Sequence, residues 1–465
     1  MKNYGKKLIA LLIAALLIFT LAACNGNASQ TPSQSPSASP SPSPSQPSSP
    51  GSSPSPSPSP TATAEPPPPP LERIPVKLNV WYAVSGESGE AFVRLAEGFD
   101  AQSELVSLEL SYSGNSSDTA TKVSAALLNG TEPDVALMYA GPLYTGGRGD
   151  FSTAGFAQRE SFNYADIFPG MWEYCKYSEG DVCSVPYAIS TQVMFYNKEI
   201  LEAAGEDMSN PPRTWQEFYQ LCLRLLEKNS GNSEFKSFDV GDAPWLFKSM
   251  LMQNGNPVVV SSGGEITPVF NDAKALEVAQ FWKSLVDSGI MLAGEHNNGQ
   301  NKFLSGNLAF FAASSSRIAR WQDSASFEVG AIEMPYFVNP SVALGGAVLT
   351  VLTQDEQRAE AAWEFIEYML QAEKIADFSL SSGYLPVRKS ALELPQMQEA
   401  IDTNPMFGVA FKQLNYTWAY IHFEQMGTMD MLLSNALMEI EKETRPPQDA
   451  LNRALNSLIE EIEEG

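Results

Sequence analysis

From Asn25 to Pro70 the chain holds 46 residues, of which 15 are serine and 16 are proline. Proline fixes φ and carries no N–H, and serine brings no apolar area, so this tract cannot build a core. It is expected to populate extended polyproline II, at ~3.1 Å per residue, with an upper reach on the order of 140 Å. Folded structure must therefore come from Leu71 to Gly465, with the tract as a tether.

What precedes the tract says where the tether is fixed. Lys2, Lys6 and Lys7 come before an unbroken apolar run, Leu8 to Phe19, and then Leu21-Ala22-Ala23-Cys24. A basic start, a short apolar segment and small residues before a break describe a secretory signal over residues 1–23. The run is too short for a membrane span, which takes ~20 residues. Leu-Ala-Ala-Cys resembles the lipobox of bacterial lipoproteins. That implies that Cys24 becomes a lipidated N-terminus, with residues 24–70 lifting the folded part off the outer face of the cell membrane. An ordinary secretory peptide with an incidental cysteine is the alternative.

Composition excludes several functions. The formal charge is -25, from 54 acidic residues against 29 lysines and arginines, and it falls to -28 once the three leader lysines are removed. So acidic a surface repels phosphate backbones and anionic headgroups, which argues against nucleic acid and against electrostatic membrane docking. The only histidines, His296 and His422, exclude a three-histidine zinc site and leave little for histidine-based catalysis. No metal or cofactor is expected. Cys175 and Cys183 flank the turn signal Ser178-Glu179-Gly180-Asp181, so they either pair across a hairpin or remain free thiols. Cys222 falls on the apolar face of a helix.

After Leu71, strands alternate with helices. A strand over 76–82 leads to a helix with Phe92, Leu95, Ala96 and Phe99 on one face. An alternating strand over 106–112, a helix over 118–128 and an apolar strand over 133–139 follow. A second such region begins near Tyr187, with strand residues 193–196 and Thr214 as a helix cap. Helices are expected near 214–228, 244–254 and 272–288, and strands over 303–313 and 329–335. Trp363, Ile366 and Leu370 mark one more helix. Leu451, Leu455, Leu458 and Ile462 mark a final helix whose stripe packs on this chain. This pattern implies α/β layers with helix-covered parallel strands, and ligands beyond the strands' carboxyl ends.

Several segments in order resemble the family 1 extracellular solute-binding proteins, the carbohydrate-binding components of ABC importers. They are Trp81-Tyr82-Ala83-Val84-Ser85-Gly86-Glu87, Val185-Pro186-Tyr187 through Phe195-Tyr196-Asn197-Lys198, Pro212-Arg213-Thr214-Trp215, Gly306-Asn307-Leu308-Ala309-Phe310-Phe311, Leu344-Gly345-Gly346-Ala347 and Gly383-Tyr384-Leu385-Pro386-Val387. The resemblance implies a type II periplasmic-binding-protein-like fold, with two discontinuous lobes joined by a three-stranded hinge. Residues 74–186 with 329–383 would form the N-terminal lobe, and 187–328 with 384–465 the C-terminal lobe. It also implies a monomer that closes over a small carbohydrate and delivers it to ABC permease subunits. Their ATPase would be separate, because this chain has no Gly-x-x-x-x-Gly-Lys-Ser/Thr loop.

The motifs are most similar to the glycerol 3-phosphate-binding branch. Ser190, one of Ser314 and Ser315, the Gly345–Gly346 backbone and Tyr384 match ligand positions of that branch. Departures fall at Ser116, where the branch has tyrosine, at Ala140, where it has glutamate, and at His422, where it has the phosphate-holding arginine. Histidine supplies neither a permanent charge nor a bidentate fork, so a neutral carbohydrate is expected. By residue type and placement alone, Glu87, Tyr82, Tyr139, Tyr187 and Trp245 join the candidates. Each has a plain alternative, helix-dipole pairing for Glu87 and core packing for the aromatics. An exported carbohydrate-active enzyme and a sugar-sensing protein coupled to a membrane sensor are the competing functions.

Overall fold

A computed structural model of the protein describes residues 74–139, 153–176, 182–294 and 296–464. The leader, Cys24, the Ser/Pro tract, Ala140 and the turn Ser178 to Asp181 lie outside these residues.

The chain first lays down β1 (Val76–Tyr82), α1 (Glu87–Asp100), β2 (Val106–Tyr112), α2 (Ser116–Asn129) and β3 (Val135–Met138). Helix α1 buries Phe92, Leu95, Ala96 and Phe99, the face its periodicity predicts. Helix α2 begins at Asn115, whose side chain accepts from the Asp118 N–H, and stops at left-handed Gly130. Strand β1 pairs in parallel with β2 and β3, so Tyr82, Tyr112 and Leu137 lie at one edge. Being the outermost strand, β2 buries Val106 but leaves Tyr112 53% exposed.

The second half contains β4 (Val185–Asn197), α3 (Trp215–Lys228), β5 (Lys236–Val240), α4 (Ala243–Gln253), the hairpin β6 (Val259–Ser262) and β7 (Glu265–Pro268), α5 (Ala273–Asp287), β8 (Leu308–Ser314) and β9 (Val329–Ile332). Thr214 and Glu217 close a capping box at the start of α3. Strand β5 runs parallel to β8, and β8 is antiparallel to the outer half of β4. The chain then returns through β10 (Val342–Val351), α6 (Glu356–Met369), α7 (Ala372–Ser382), β11 (Thr417–Trp418), α8 (Met426–Glu441) and α9 (Pro447–Glu464).

These strands form one sheet in the order β2-β1-β3-β10-β4-β8-β5, with β9 on β4 and β11 on β10. Both β4 and β10 belong to the two halves. Strand β10 pairs with β3 at Val348–Val351 and with β4 at Leu344–Leu349, and β4 continues outward to β8. A third connection runs beside them, where the Leu385 N–H donates to the Ile189 carbonyl at 2.7 Å.

One expectation needs correction. Strand β9, expected in the N-terminal lobe from residue 329, pairs with Met194–Asn197 of β4, on the edge opposite β8. The returning crossover therefore lies in β10. Strand β10 itself escapes the strand pattern because Gly345 and Gly346 interrupt its centre. Gly346 sits at φ 125°, and a Cβ there would overlap the Ala188 carbonyl oxygen, so only glycine fits this approach.

Trp215 and Trp363 are core residues, each 1% exposed, and Cys222 is fully buried. Cys175 and Cys183 are joined by a main-chain hydrogen bond of 3.2 Å but remain free thiols. The apolar stripe of α9 buries Leu451, Leu455 and Leu458, and α9 packs on α8 and α5 of this chain.

Candidate ligand-binding site

Register places one line of residues across the sheet. On the first half it runs through Tyr82 and Tyr139, at the carboxyl ends of β1 and β3. It continues through Gly346 opposite Ile189 and Gly345 opposite Ser190. On the second half it reaches Ser314, opposite Gln192, and Asp242, just past the end of β5. The carboxyl edges of both halves thus face one another across the β4–β10 crossing, where α/β sheets place their ligands. A groove of about 400 Å³ lined by Ile74, Val76 and Trp363 lies at the other end of β1, where Arg159 and Glu360 satisfy each other.

The wall of this cleft is built locally. The Asp242 carboxylate accepts from the Trp245 N–H at 2.9 Å and fixes the first turn of α4. The Trp245 indole then lies against the main chain of Gly345, where a Cβ would stand 3.0 Å from Cζ2. Ser190, 4% exposed, sits opposite Gly345 on β4. Farther along, the Ser314 and Ser316 hydroxyls are 2.9 Å apart, and Gly383, next to Tyr384, packs on Ser316. Tyr384 stacks on Phe378, with ring centroids 5.8 Å apart. Tyr139 reaches the opposite side through a 3.7 Å contact of Oη with the Met426 sulfur.

Other candidates are placed elsewhere. Tyr187 is fully buried in the core, 4.6 Å from Phe378 and 5.8 Å from Phe92 by ring centroid, so it is not on the cleft surface. Ser315 is fully buried, and its Oγ accepts from the Thr191 N–H at 3.4 Å, whereas Ser314 is half-buried. His422 is also fully buried, with its ring 4.9 Å from that of Tyr174. Burial pushes it down to about 4, so it stays neutral at physiological pH and cannot replace a phosphate-binding arginine. Glu87 is exposed in the first turn of α1, and Ser116 is half-buried at the start of α2; both mark the first-half edge.

Sequence reasoning missed Trp418 and Tyr420. Strand β11 sets Trp418 beside Ala343, two residues before Gly345, and the two rings meet edge-on at 4.8 Å. Among the described residues the Trp245 and Trp418 indole nitrogens, the Tyr420 hydroxyl and the Gln192 carbonyl oxygen are buried without hydrogen-bond partners. Lys248 lies over the Tyr420 ring at 4.1 Å and is neutralised by Asp430. The alternation Trp418, Tyr420, His422 was the available signal, but two strand residues are too short a run to read.

The sheet order β2-β1-β3-β10-β4, with β10 antiparallel and returning from the other half, defines a two-lobe α/β fold of the type II periplasmic-binding class. The protein belongs to the bacterial extracellular solute-binding protein family, whose sequence model matches residues 94–405. It is 25% identical over 417 residues to the sn-glycerol-3-phosphate-binding periplasmic protein UgpB of Escherichia coli K12, an alignment covering 82% of this chain and 92% of the relative. The UgpB of Pectobacterium atrosepticum is 26% identical over 418 residues, covering 83% and 91%. Among solved structures, the cyclic alpha-maltosyl-1,6-maltose binding protein of Arthrobacter globiformis matches with a TM-score of 0.74 at 22% identity, covering 84% of this chain and all of the other. UgpB of Mycobacterium tuberculosis in complex with glycerophosphocholine matches with a TM-score of 0.73 at 24% identity, covering 83% and 99%.

Proposed function

We propose that this protein is the membrane-anchored substrate-binding component of an ABC importer. It captures a carbohydrate between its lobes, closes by bending at β4, β10 and Gly383–Leu385, and presents the closed form to permease subunits whose ATPase is a separate chain. Residues 1–23 are removed, Cys24 carries the lipid, and the protein acts as a monomer outside the cytoplasm. No bond of the ligand is made or broken.

The observation that carries this reading is the Trp245 indole lying on the Gly345 backbone opposite Ser190, an aromatic face beside main-chain and hydroxyl groups. Sugar rings are held by such a pairing, with C–H surfaces on the ring and hydroxyls on the fixed polar groups. The part of this wall around Trp245 supports a neutral ring, because Lys248 there is paired with Asp430 and His422 is uncharged. The names of the relatives support a polyol ligand: glycerol 3-phosphate in one group, a cyclic maltose oligosaccharide and glycerophosphocholine in the others.

Calorimetric titration of the full chain with mono- and oligosaccharides tests the reading. Stoichiometric binding without turnover is expected, and Trp245→Ala or Tyr384→Ala should weaken it at least about tenfold, ~1.4 kcal/mol. Hydrolysis of a titrated glycan, or unchanged affinity in both variants, would overturn it.

A further inference from the structure

Four described arginines are withdrawn from solvent: Arg317, Arg358, Arg388 and Arg445. Three are neutralised. Arg358 donates to Asp134 at 2.6 Å, Arg445 pairs with Glu439 at 2.9 Å, and Arg388 pairs with Asp166 at 3.3 Å. Arg317 has no carboxylate within ion-pair distance among the described residues. Its guanidinium carbon lies 5.7 Å from the centre of the Trp321 ring, and the like charge of Arg320 acts on it.

Leaving a cation part-buried and unpaired is costly, and in a chain with 54 acidic residues it is conspicuous. Its place is equally specific. Arg317 ends the single 3₁₀ turn that follows Ser314 at the carboxyl end of β8. Beside it in the chain are the Ser314 and Ser316 hydroxyls, 2.9 Å apart, and Tyr384 follows Gly383, which packs on this turn. The third connection is pressed against this turn: a Cβ on Gly383 would stand 3.0 Å from the Ser315 carbonyl oxygen. The Arg317 turn, two hydroxyls and Tyr384 thus lie together at the carboxyl end of β8, where the third connection packs. Burial and the neighbouring Arg320 hold the Arg317 pKa below its usual value, as expected of a cation awaiting a counter-charge.

We propose that Arg317, with Ser314, Ser316 and Tyr384, is an anion subsite of the cleft, and that the ligand is an acidic saccharide whose carboxylate it holds. This rests on the carbohydrate reading above. It replaces the wholly uncharged ligand expected from the loss of arginine at His422 with one that has a neutral ring at Trp245 and one negative group at Arg317. The planar fork matches a carboxylate bidentately. One guanidinium also balances one charge, whereas a phosphate monoester at about -1.5 to -2 would remain in excess within an acidic protein.

The test titrates the full chain in detergent with neutral oligosaccharides, each paired with its uronic-acid counterpart, and with glycerol 3-phosphate. At about 20 mM salt at least one uronic acid should bind about tenfold tighter than its neutral partner, an advantage that shrinks as salt rises. Arg317→Gln should cost the acid about tenfold more than its neutral partner, and Arg317→Lys should restore part of that difference. No preference for the acid, an equal loss for both partners, or a preference for glycerol 3-phosphate would overturn the proposal. A second readout does not need the correct sugar. D-galacturonate and acetate, compared with chloride at equal ionic strength, should raise the thermal midpoint of the wild type and not that of Arg317→Gln; equal responses would also overturn it. If no oligosaccharide binds yet this carboxylate effect still requires Arg317, the carbohydrate reading fails and the subsite stands.

Discussion

The Trp245 indole rests on Gly345, with Cζ2 3.0 Å from where a Cβ would be, and the next residue, Gly346, has φ 125° against the Ala188 carbonyl. These neighbouring glycines do different work. Gly345 leaves room for a side chain that faces the cleft, and Gly346 lets two hinge strands approach.

Their alanine variants should therefore separate binding from stability. Gly346→Ala combines a positive φ with a main-chain overlap and should cost at least ~2 kcal/mol of stability, read by denaturant unfolding. Gly345→Ala should fold with a midpoint close to wild type but displace Trp245 and reduce affinity about tenfold in the same titration. Equal destabilisation by both would show that the Trp245 contact is packing only.

His296 should make stability depend on alkaline pH. Its Nδ1 is 2.7 Å from Asp239 and its Nε2 is 2.9 Å from Glu441, which also accepts from the Trp282 and Gly294 N–H groups, each at 2.7 Å. Burial alone would lower its pKa, but the two carboxylates outweigh that and push it up to about 9. The folded value lies above the unfolded 6.5, so the contribution is complete below pH 6.5 and is lost as pH rises through about 9. It amounts to something on the order of 3 kcal/mol. Chemical unfolding of the wild type should show this decline between pH 7 and 10, and His296→Gln should be less stable at pH 7 and nearly flat across that range.

The thiols should be silent in the native protein. Cys175, Cys183 and Cys222 are buried and free, and burial pushes the Cys175 and Cys222 thiols up, away from the reactive thiolate. Thiol titration at neutral pH should find these three unreactive until denaturant is added, and then all three without reductant. A count of one after unfolding would mean that Cys175 and Cys183 are bonded.

The anchor is tested by fractionation. The wild type should partition with membranes, and Cys24→Ser should appear in the soluble extracytoplasmic fraction, because a peripheral hold on anionic lipid is excluded by the formal charge of -25. A variant that stays as firmly with membranes would overturn the lipid assignment.

Local rules made much of the fold legible in the sequence. Phe92, Leu95, Ala96 and Phe99 lie on the buried face of α1, Thr214 caps α3 with Glu217, and the Leu451–Leu455–Leu458 stripe is buried, each as spacing and capping chemistry require. Gly345-Gly346 and Tyr384 became site candidates through their resemblance to ligand positions of the solute-binding family, not through any local spacing.

Tertiary pairing decided the rest. Val329–Ile332 reads as a strand in any lobe, and only hydrogen bonds to Met194–Asn197 assign it to the outer half of β4. Tyr139 and Tyr187 are the same residue type near strand ends, yet one borders the cleft and the other is enclosed by Phe92 and Phe378, because burial depends on what the opposite layer brings. An arginine's partner is likewise a question of what packs beside it. The sequence by itself determined that residues 25–70 cannot build a core and that strands alternate with helices after them, since these follow from composition and period. That Trp418 stands beside Ala343, that His422 is buried and neutral, and that Arg317 is the one part-buried arginine among the described residues without a carboxylate were decided by contacts between residues far apart in the chain, which no local spacing encodes.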